Sequence, residues 1–479
     1  MDVSVPAAAV AGGGGDPRFL AGLGVLTSEI GPGLVDEVIG VAGCREKRRR
    51  KLPALTVVYF VLGMCLVPGA DSMGPPGYRS VMRQLTHGLR QVHDDVAVAT
   101  RQGFTKARQR LGCTVLELLF DRVRGVRAEP GMAGAFAVGR RLVAWDGTDL
   151  DAADTRANRE GFTCYAGGGP KLRLLALIEC GTRAVIDAAF DSFAVAETVL
   201  ARRVLASLQP GMLLLADRLF PGYELWGLAR STGADLLWRA RNNLVFTVVR
   251  ELEDGSYLAV MGTPAENRRL GTARHRGRPL DRVPDGHLIR VIEYAVDVTT
   301  SEGTRVSEQF RLVTTLLDAG EAPAAALAGV YRQRWECENG YGELKTRLRG
   351  AGFTLRSRTP DLTCQELLAF LITCQALHSL RAAAAATAGL DPGLISFTVT
   401  IRTARDYATS WTGPALLDRA RRNAITDITS DLIEPRPGRQ TDRVTNRPRG
   451  EKKYKNSKQP RNTHEVTYTL NPRRTPQAP

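Results

Sequence analysis

The chain has 479 residues, of which 43% are hydrophobic and 24% are charged, and its formal net charge is +15. This length exceeds what one hydrophobic core usually supports, so we expect two or three domains, or one domain with a large insertion. The composition excludes a chain too poor in apolar residues to fold, and the basic excess favours a polyanionic partner, with nucleic acid as the first candidate.

The cysteines and the apolar runs further limit the classes of protein to which this sequence can belong. The eight cysteines include no C-x-x-C pair and no Cys/His cluster at zinc spacing, so structural zinc is not expected. The sequence shows no secretory leader pattern, which predicts free thiols in a reducing cytosol. The longest apolar stretch, residues 52–68, is too short and too interrupted for a membrane span. We therefore expect a cytoplasmic protein that has no membrane partner.

The N-terminal part contains two segments that differ in composition and in hydrophobic periodicity. Residues 1–16 are mostly Ala, Val and Gly, which predicts a flexible leader. Between residues 17 and 130, helical periodicity alternates with short breaks and predicts an all-helical domain. The expected helices span residues 20–41, 55–67, 78–85 and 105–126.

Two basic segments of this helical domain are candidates for contacting DNA. The first contains Arg48, Arg49 and Arg50, and the second covers residues 100–110. Both segments fit a helix-turn-helix-like arrangement, and both fit a solvated charged face about equally well. The sequence leaves these two interpretations open.

After a Gly- and Ala-rich linker at residues 131–139, the pattern changes to short β-branched or leucine-rich runs. The order of the expected elements is β-β-β-α-β-α-β, which predicts an α/β fold with a mixed sheet of the RNase H-like kind, its first part at residues 138–240. The strands are expected at residues 141–146, 172–180, 184–191, 212–217 and 235–239, and the helices at residues 194–207 and 223–231.

A β-rich insertion is expected to interrupt this core at residues 241–308, where short alternating runs stand among many Gly, Pro and Arg residues. Its basic residues, including Arg268 and Arg278, would track DNA backbone or form a disordered loop. The second part of the core is expected at residues 309–385. The remaining expected elements are strands at residues 246–250, 257–261, 288–296 and 309–317 and helices at residues 322–349, 363–388 and 391–424.

Two segments follow the core. Residues 386–434 predict a C-terminal helical region. Residues 435–479 hold more than half of the chain's charge excess and almost no large aliphatic side chains. Such a segment cannot bury enough apolar surface to order itself, so we expect a disordered basic tail that binds polyanions or only aids solubility.

Two of the expected strands end in an aspartate. Asp146 follows the first strand and opens Asp-Gly-Thr, and Asp217 follows the run Met-Leu-Leu-Leu-Ala. A single aspartate at a strand end is more often a turn or helix-cap residue, but here a later helix adds Glu338. Carboxylates presented in this way are the ligands that hold two divalent ions beside a scissile phosphodiester.

Tyr331, Arg334, Glu338 and Lys345 follow one another at intervals of 3, 4 and 7 residues, so on a helix they would share one face. An ordinary amphipathic helix with an Arg334–Glu338 ion pair is the alternative interpretation. As rival ligands, Glu336 would point away from Glu338 at 100° per residue, and Glu343 ranks second because it breaks the register.

The run resembles, position for position, the Y-(2)-R-(3)-E-(6)-K signature of DDE transposases of the insertion-sequence-4 type. Asp-Gly-Thr at Asp146 and Ala-Asp-Arg at Asp217 resemble the first two carboxylate motifs of that family. The resemblance implies a catalytic triad of Asp146, Asp217 and Glu338 that holds two Mg²⁺ ions, with Mn²⁺ as a substitute. It implies a DNA transposase that binds the terminal inverted repeats of its element and moves it into target DNA by cut-and-paste.

The resemblance also implies partners and DNA contacts. A homodimer assembled on double-stranded DNA is expected in the bacterial cytoplasm at the nucleoid. Tyr331, Arg334 and Lys345 would contact phosphates at the element end, and Arg239 and Arg241 would lie where the insertion begins. Trp238 is expected to be buried rather than to contact a base. Two alternatives stay open: a silent or domesticated DNA-binding protein, and a standalone RNase H-like nuclease that uses the same acids.

Overall fold

The structure is a computed structural model that describes residues 22–48, 50–67, 77–87, 99–164, 167–276, 282, 284–299, 305–348, 354–410, 416–433 and 465–470. Several sequence predictions lie outside these residues. They are the leader at residues 1–16, Arg49, Arg278 and most of the tail at residues 435–479.

The N-terminal region is helical, as predicted, but two expected helices are each divided. Pro32 begins a new helix at residues where the sequence predicted continuity, because proline lacks the N–H that a preceding turn would require. Gly112, at φ 69°, ends another by adopting a left-handed conformation that other residues rarely take. The helices are α1 (Pro32–Val41), α2 (Ala54–Leu66), α3 (Tyr78–Leu85), α4 (Arg101–Leu111) and α5 (Thr114–Val123), after a 3-10 turn at Gly24–Ser28.

One mixed sheet of twelve strands dominates the rest of the structure, and the predicted mixed α/β fold class is confirmed at that level. The strands are β1 (Phe136–Ala137), β2 (Arg140–Ala152), β3 (Lys171–Glu179), β4 (Val185–Ser192), β5 (Met212–Ala216), β6 (Asp235–Arg239), β7 (Thr247–Glu251), β8 (Tyr257–Gly262), β9 (Gly286–Thr299), β10 (Arg305–Thr314), β11 (Thr354–Leu355) and β12 (Glu465–Leu470).

The strand order makes β2 and β5 neighbours in the interior of the sheet. It runs β4-β3-β2-β5-β6-β10-β9-β8-β7, with β1 and β11 beside β2 and β12 beside β9. Strand β2 is antiparallel to β3 but parallel to β5, and β5 is parallel to β6. Parallel neighbours end at the same edge, so side chains that follow β5 lie near the corresponding point of β2.

The predicted insertion extends this sheet. Strand β10 pairs with β6 on one side and with β9 on the other, so β7, β8 and β9 continue the core sheet without a break. A helix at Pro264–His275 was not predicted, because its Arg, Asn and Gly residues look like a loop. The basic Arg269 of this helix is held by Glu266.

The tail prediction needs a correction. Glu465–Leu470 forms β12, which pairs antiparallel with residues 294–299 of β9. Its sequence, Glu-Val-Thr-Tyr-Thr-Leu, is rich in β-branched and aromatic residues, which suits a strand even inside a basic segment. The tail is therefore not disordered throughout.

The remaining helices cover the sheet or pack with the N-terminal helices in a separate hydrophobic core. They are α6 (Arg156–Gly161), α7 (Glu197–Arg203), α8 (Tyr223–Ser231), α9 (Pro264–His275), α10 (Ala324–Tyr331), α11 (Trp335–Gly342), α12 (Pro360–Ala388), α13 (Phe397–Thr409) and α14 (Leu417–Thr429).

Both faces of the sheet are buried by helices. Successive side chains of a strand point to opposite faces, so Val143 and Trp145 of β2 join one core, whereas Leu142 and Ala144 join the other. The first core lies under α7 and α8 and includes Trp238, whose ring lies 5.7 Å from that of Trp145. Trp238 is fully buried, as predicted. The second core lies under α10 and α11.

Helix α12 links the N-terminal helices to the rest of the molecule. Its apolar residues share one hydrophobic core with α2, α5, α13 and α14. By length and composition α12 would qualify as a membrane span, but 94% of its apolar window is buried within the fold, as in the core helix of a soluble domain. The helix ends at Gly389, which adopts the left-handed conformation that favours glycine.

A buried charge cluster joins α12 to the segment that follows α11. Glu343 is 2% exposed and contacts the guanidinium groups of Arg183 and Arg381, and that of Arg347 lies 4.0 Å from its Oε1. Burial alone would raise the pKa of the Glu343 carboxyl, but Arg381 and Arg183 outweigh burial and lower it to about 2. The Nε2 atom of His378 in α12 lies 3.9 Å from Glu343 Oε2. This imidazole stays neutral at neutral pH, since burial lowers its pKa to about 3.

We expect Glu343→Gln to lower the free energy of unfolding at neutral pH by about 3 kcal/mol, because two buried guanidinium groups lose their shared counter-charge. The folded-state pKa of Glu343 is depressed, so its contribution is complete above pH 4.5, its usual value, and is lost as pH falls towards 2. The free energies of unfolding of wild type and variant, measured by urea denaturation, should therefore converge as pH falls from 4.5 towards 2.

Glu336→Gln is the matched control for this experiment. Glu336 pairs with the same Arg183 but is 24% exposed, so its loss should cost less than that of Glu343. Equal losses for the two variants, or a gap that does not depend on pH, would contradict the assigned role of Glu343.

Candidate active site

The segment that carries the signature residues is helical but not one continuous helix. Helix α10 ends at Tyr331, a 3-10 turn covers Arg332–Arg334, α11 follows, and a π turn spans Glu343–Leu348. The sequence predicted a single α-helix at residues 322–349, and the change of helical type rotates successive side chains away from a common face. As a result, the four signature side chains do not form one exposed surface.

Asp146 lies inside β2 rather than at its end. Strand β2 continues to Ala152 along β3, whereas its pairing with β5 stops at Ala144 and Leu215. The predicted strand end at Asp146 is therefore wrong for the β3 side, although Asp146 does lie just beyond the β5 pairing. Burial raises the pKa of its carboxyl; Arg334 opposes this shift, and Asp217 and Glu338 add to it.

Arg334 joins the first and third predicted carboxylates. Its guanidinium donates to Asp146 Oδ2 and to Glu338 Oε1, each at 3.1 Å. Arg334 is 8% exposed, and its guanidinium carbon lies 5.1 Å from the centre of the Trp335 ring. Burial alone would lower the pKa of Arg334, but the neighbouring Tyr331, Asp146 and Glu338 raise it, so the cation is retained.

Asp217 follows the last residue of β5, as the sequence predicted. Its Oδ1 accepts a hydrogen bond from the Leu219 backbone N–H at 2.8 Å, which fixes the carboxylate in a turn. A cavity of about 650 Å³ opens beside it, and the lining residues are Asp146, Glu197, Asp217, Arg218, Leu219, Arg239, Ala240, Arg241 and Asn242. Asp146 and Asp217 therefore share one open cavity.

Two tyrosines support the strands from the buried side. The Tyr331 hydroxyl donates to the Ala216 backbone carbonyl at 3.1 Å, and Tyr331 is only 5% exposed. The Tyr341 hydroxyl donates to the Asp146 carbonyl and accepts from the Ala176 N–H at 2.9 Å. Burial raises the pKa of both tyrosines, so both hydroxyls remain protonated donors. Tyr331 thus lacks the exposed surface that a predicted DNA contact requires.

Lys345 also turns towards β2. Its ammonium donates to Thr148 Oγ1 and to the Asp149 carbonyl, each at 2.9 Å. Burial lowers the pKa of Lys345, while Asp149 and Asp151 oppose the shift. Lys345 is half-buried near Asp149 and Asp151, so part of its surface faces the solvent.

The rival glutamates of the signature segment lie elsewhere. Glu336 pairs with Arg183 at 2.5 Å, away from Glu338, as helical geometry predicted. Glu343 is held in the buried cluster with Arg183 and Arg381, so its ranking as second choice of ligand is wrong. The sequence could not predict this burial, because the guanidinium partners of Glu343 lie far from it in the chain.

The predicted basic residues differ in exposure. Arg241 is exposed at the cavity, whereas Arg239 is bound to Glu308 at 2.6 Å and covers the Phe310 ring. Arg48 and Arg50 are exposed in the N-terminal region. Arg50 borders a groove of about 300 Å³ between its loop and α4, with Lys51 and Arg110 among the lining residues.

One member of the second basic segment is not available to a partner. Both interpretations of residues 100–110 expect their basic side chains at the surface, and this is wrong for Arg108, which is fully buried and donates to Gln365 and to Ser357. Arg101, Lys106 and Arg110 of the same helix are exposed. The helical face around Arg108 faces α12, which sequence periodicity alone did not reveal.

The donor chemistry of the site suits a hard divalent cation. Asp146, Asp217 and Glu338 present only carboxylate oxygens, and the guanidinium of Arg334 shows that two of them can share one cation. Over the described ranges, no three Asp, Glu, His or Cys side chains are arranged as a metal-holding group. Arg334 lies where two of the carboxylates converge, so binding of a metal requires this contact to loosen.

Comparison with known proteins gives the following matches. The family model described as insertion element 4 transposase N-terminal matches residues 20–121, and the transposase DDE domain matches residues 138–374. Transposase InsG for insertion sequence element IS4 of Escherichia coli (strain K12) is 24% identical over 367 residues, covering 72% of this chain and 74% of the relative. Putative transposase InsZ of the same organism is 28% identical over 197 residues, covering 40% and 62%.

Among solved structures, the piggyBac transposase synaptic complex with hairpin DNA, determined by cryo-EM, is similar with a TM-score of 0.41 and 9% identity. The similarity covers 84% of each chain.

We expect Tyr341→Phe to lower the free energy of unfolding by about 1–3 kcal/mol, because the Asp146 carbonyl and the Ala176 N–H would each lose a buried partner. Tyr407→Phe is the matched control, since the Tyr407 hydroxyl contacts Asp427 at an exposed position. That change should cost less than about 0.5 kcal/mol. Urea denaturation of the two variants measures the difference, and equal costs would remove Tyr341 as a support of β2.

Proposed function

The chain belongs to the DDE transposases of the insertion-element-4 type, and on this premise we propose which residues carry out its reaction. It is a DNA transposase, an enzyme of DNA cleavage and strand transfer whose partner is DNA. The family, the enzyme class and the DNA transposase function expected from the sequence are confirmed, whereas inverted-repeat binding and the cut-and-paste route belong to the proposals. The residue roles, the metal stoichiometry and the assembly state described below are our proposals.

The catalytic core is proposed to be RNase H-like. In support, the element order from β2 to β6 is β-β-β-α-β-α-β except for the short helix α6 between β2 and β3, and the strands lie side by side in the order β4-β3-β2-β5-β6. The first three strands are antiparallel and the last two continue parallel from β2. This arrangement brings Asp146 and Asp217 to adjacent central strands.

The proposed catalytic residues are Asp146, Asp217 and Glu338. The observation that carries this proposal is the bridge through Arg334, which brings together two carboxylates 192 positions apart in the chain, next to the cavity that also holds Asp217. Burying several carboxylates around one guanidinium costs free energy, and charge clusters of this kind are frequent at functional sites.

DDE transposase domains generally use divalent metal, and we propose two Mg²⁺ ions, with Mn²⁺ as a substitute, held by these three carboxylates. When bound, such ions lower the pKa of the attacking hydroxyl and stabilise the leaving oxygen of the phosphodiester. The protein's own part is to hold the donors still. Tyr341 fixes the backbone at Asp146, and the Leu219 N–H fixes Asp217.

Arg334 has a double role in this proposal. In the structure it keeps Asp146 and Glu338 close together as their shared counter-charge. Its planar fork of donors also suits a phosphate, so a phosphodiester entering the site would offer it a new anionic partner. We propose that Arg334 turns to this phosphate and that the carboxylates are then free to hold the metal.

The DNA is proposed to lie along the cavity and against the basic side chains around it. Arg241 is exposed there, Lys345 is half-buried beside Asp149, and Arg239 lies at the cavity wall. In the N-terminal region, Arg48 and Arg50 are exposed, and Arg49 completes the predicted run. The sequence also predicted Tyr331 as a DNA contact, but its burial favours a role in positioning β5.

We further propose that the element's terminal inverted repeats are bound, cleaved and joined to target DNA by cut-and-paste, with a homodimer assembled on the two ends. Each end requires its own carboxylate site, so two subunits supply two sites. The net charge of +15 favours this assembly on polyanionic DNA.

The first test is strand cleavage of duplex DNA carrying the gene's own flanking sequence. We expect wild type to cut at a repeat boundary with Mg²⁺ and not with EDTA, and Glu338→Gln to lose at least a hundredfold in rate. The reason is that Gln keeps the shape but removes the charge that holds the metal. Gel analysis of end-labelled DNA measures the rate.

Glu336→Gln is the matched control, because Glu336 lies two residues away and pairs with Arg183 outside the cavity. It should keep near wild-type cleavage. Specific binding without any cutting by wild type would favour a DNA-binding protein. Cutting of duplexes that lack the repeat would favour a standalone nuclease.

A second test concerns Lys345. We expect Lys345→Ala to weaken binding to the repeat DNA and to reduce the slope of log K against log salt by about 1, as for the loss of one phosphate contact. Fluorescence anisotropy at several salt concentrations measures both quantities.

Thr148→Val is the matched control for Lys345, because it removes a hydrogen-bond partner of the ammonium without removing the charge. It should leave the salt slope unchanged. If Lys345→Ala gives the wild-type slope, Lys345 holds β2 in place and does not touch DNA.

A further inference from the structure

Strands β9 and β10 extend beyond the core strand β6. The pairing of β10 with β6 ends at Leu312 and Arg239, whereas β10 stays paired with β9 as far as Arg305. Residues 294–299 of β9 and their partners, residues 305–310 of β10, form a ribbon that projects past the carboxyl end of β6. The catalytic cavity opens at this same edge of the sheet, because Arg239 is one of its lining residues.

Strand β12 supplies the third strand of this ribbon. On the side of β9 that is turned away from β10, β8 pairs with β9 only as far as Val291. β12 continues that side by pairing with residues 294–299 of β9. A two-stranded ribbon is at best marginally stable in water, whereas three strands with an apolar face can be stable. The stability of the ribbon therefore depends on β12.

A row of apolar side chains crosses all three strands on the face covered by α10. Phe310 of β10 lies opposite Tyr294 of β9, and Tyr294 lies opposite Leu470 of β12. The rings of Phe310 and Tyr294 stack with their centres 5.3 Å apart, and Leu470 packs against the same hydrophobic core. Helix α10 contacts β12 as well as β9. Without β12, this row would end at Tyr294.

The ribbon holds Arg239 at the wall of the cavity. The guanidinium carbon of Arg239 lies 3.9 Å from the centre of the Phe310 ring, and the guanidinium donates to Glu308 Oε1 at 2.6 Å. Phe310 also contacts the ring of Tyr331, whose hydroxyl donates to the last residue of β5. A displacement of the ribbon would therefore move a basic side chain of the cavity.

Arg241, the other predicted arginine of the cavity, is held differently. Its Nε donates at 2.9 Å to the carbonyl of Arg218, in the turn that follows β5. That turn belongs to the core part of the sheet and not to the ribbon. Loss of the ribbon should therefore affect the position of Arg239 more than that of Arg241.

We propose that β12 is a positioning element of the catalytic site, which completes the ribbon and so fixes Arg239 where it contacts DNA phosphate. This inference rests on the proposed function, which places DNA in the cavity. It gives residues 465–470 a part in DNA cleavage, although they lie outside both regions that match the family models.

The test compares two shortened chains, one ending after His464 and the other ending after Leu470. Both lack Arg473 and Arg474, but only the first lacks β12. At subsaturating repeat DNA with Mg²⁺, we expect the chain without β12 to cleave at least about tenfold more slowly than wild type, since a small displacement of a binding group has an effect of this size. The chain ending after Leu470 should match wild type, and equal rates for the two chains would contradict the proposal.

Amide hydrogen exchange in the absence of DNA reports on the ribbon itself. Residues 294–299 and 305–310 should lose protection in the chain without β12, whereas β2 and β5 should keep theirs. Wild-type protection of the ribbon in that chain would overturn the proposal without any measurement of cleavage.

A double-mutant cycle separates the positioning of Arg239 from a general loss of stability. If β12 acts through Arg239, its removal should slow the Arg239→Gln variant much less than it slows wild type. In the Arg241→Gln variant, removal of β12 should keep its full effect. An equally large further loss in Arg239→Gln would show that β12 acts on the fold as a whole, and the proposal would be wrong.

Leu470→Ala takes the place of the shortened chain if that chain does not fold. Thr469→Ala is its matched control, because Thr469 is exposed and Leu470 packs against the core. The same cycle with Arg239→Gln then decides. Failure of the proposed function gives a different result: wild type itself would not cut repeat DNA, and this inference would fall with it. Cutting by wild type that does not depend on β12 would remove this inference alone.

Discussion

The contact of Arg334 with Asp146 and Glu338 is the interaction on which the site depends. It joins a central strand to the helical segment packed across it, so the distance between the two carboxylates is set by one guanidinium. The side chain is nearly buried, and in such surroundings an unpaired carboxylate or guanidinium would be costly. The structure therefore keeps a site rich in acids compact through an internal cation.

The elements around this contact are held in place by buried polar groups. Tyr331 donates to the end of β5, Tyr341 to the backbone of β2, and Glu343 binds guanidinium groups from the β3–β4 turn and from α12. Each bond crosses between elements that are distant in the chain. Because each partner is shielded from water, the helical segment that carries Glu338 cannot shift without leaving a buried polar group unsatisfied.

Much of this arrangement could be predicted from the sequence, and the rest fails for identifiable reasons. Strand β6 and helix α8 have the predicted bounds because apolar runs and turn residues mark them clearly. Asp217 lies where its strand pattern ends. Asp146 does not, because one partner strand leaves β2 there while the other continues, and a one-dimensional pattern contains no pairing. The sequence did not place Glu197 at the cavity for the same reason, since only the folded chain brings the start of α7 to the strand that carries Asp146.

The sequence rules fail most where the function is proposed, and the physical cause is the same in each case. Patterns of hydrophobicity and capping describe what stabilises a fold, whereas the cavity gathers acids that repel one another. Burial and neighbouring charge raise the pKa of both Asp146 and Glu197, so the folded protein bears a local electrostatic cost. Arg334 offsets that cost for Asp146 and Glu338 but does not contact Glu197. Three arginines, Arg218, Arg239 and Arg241, line the same cavity, so basic side chains stand beside the acids there.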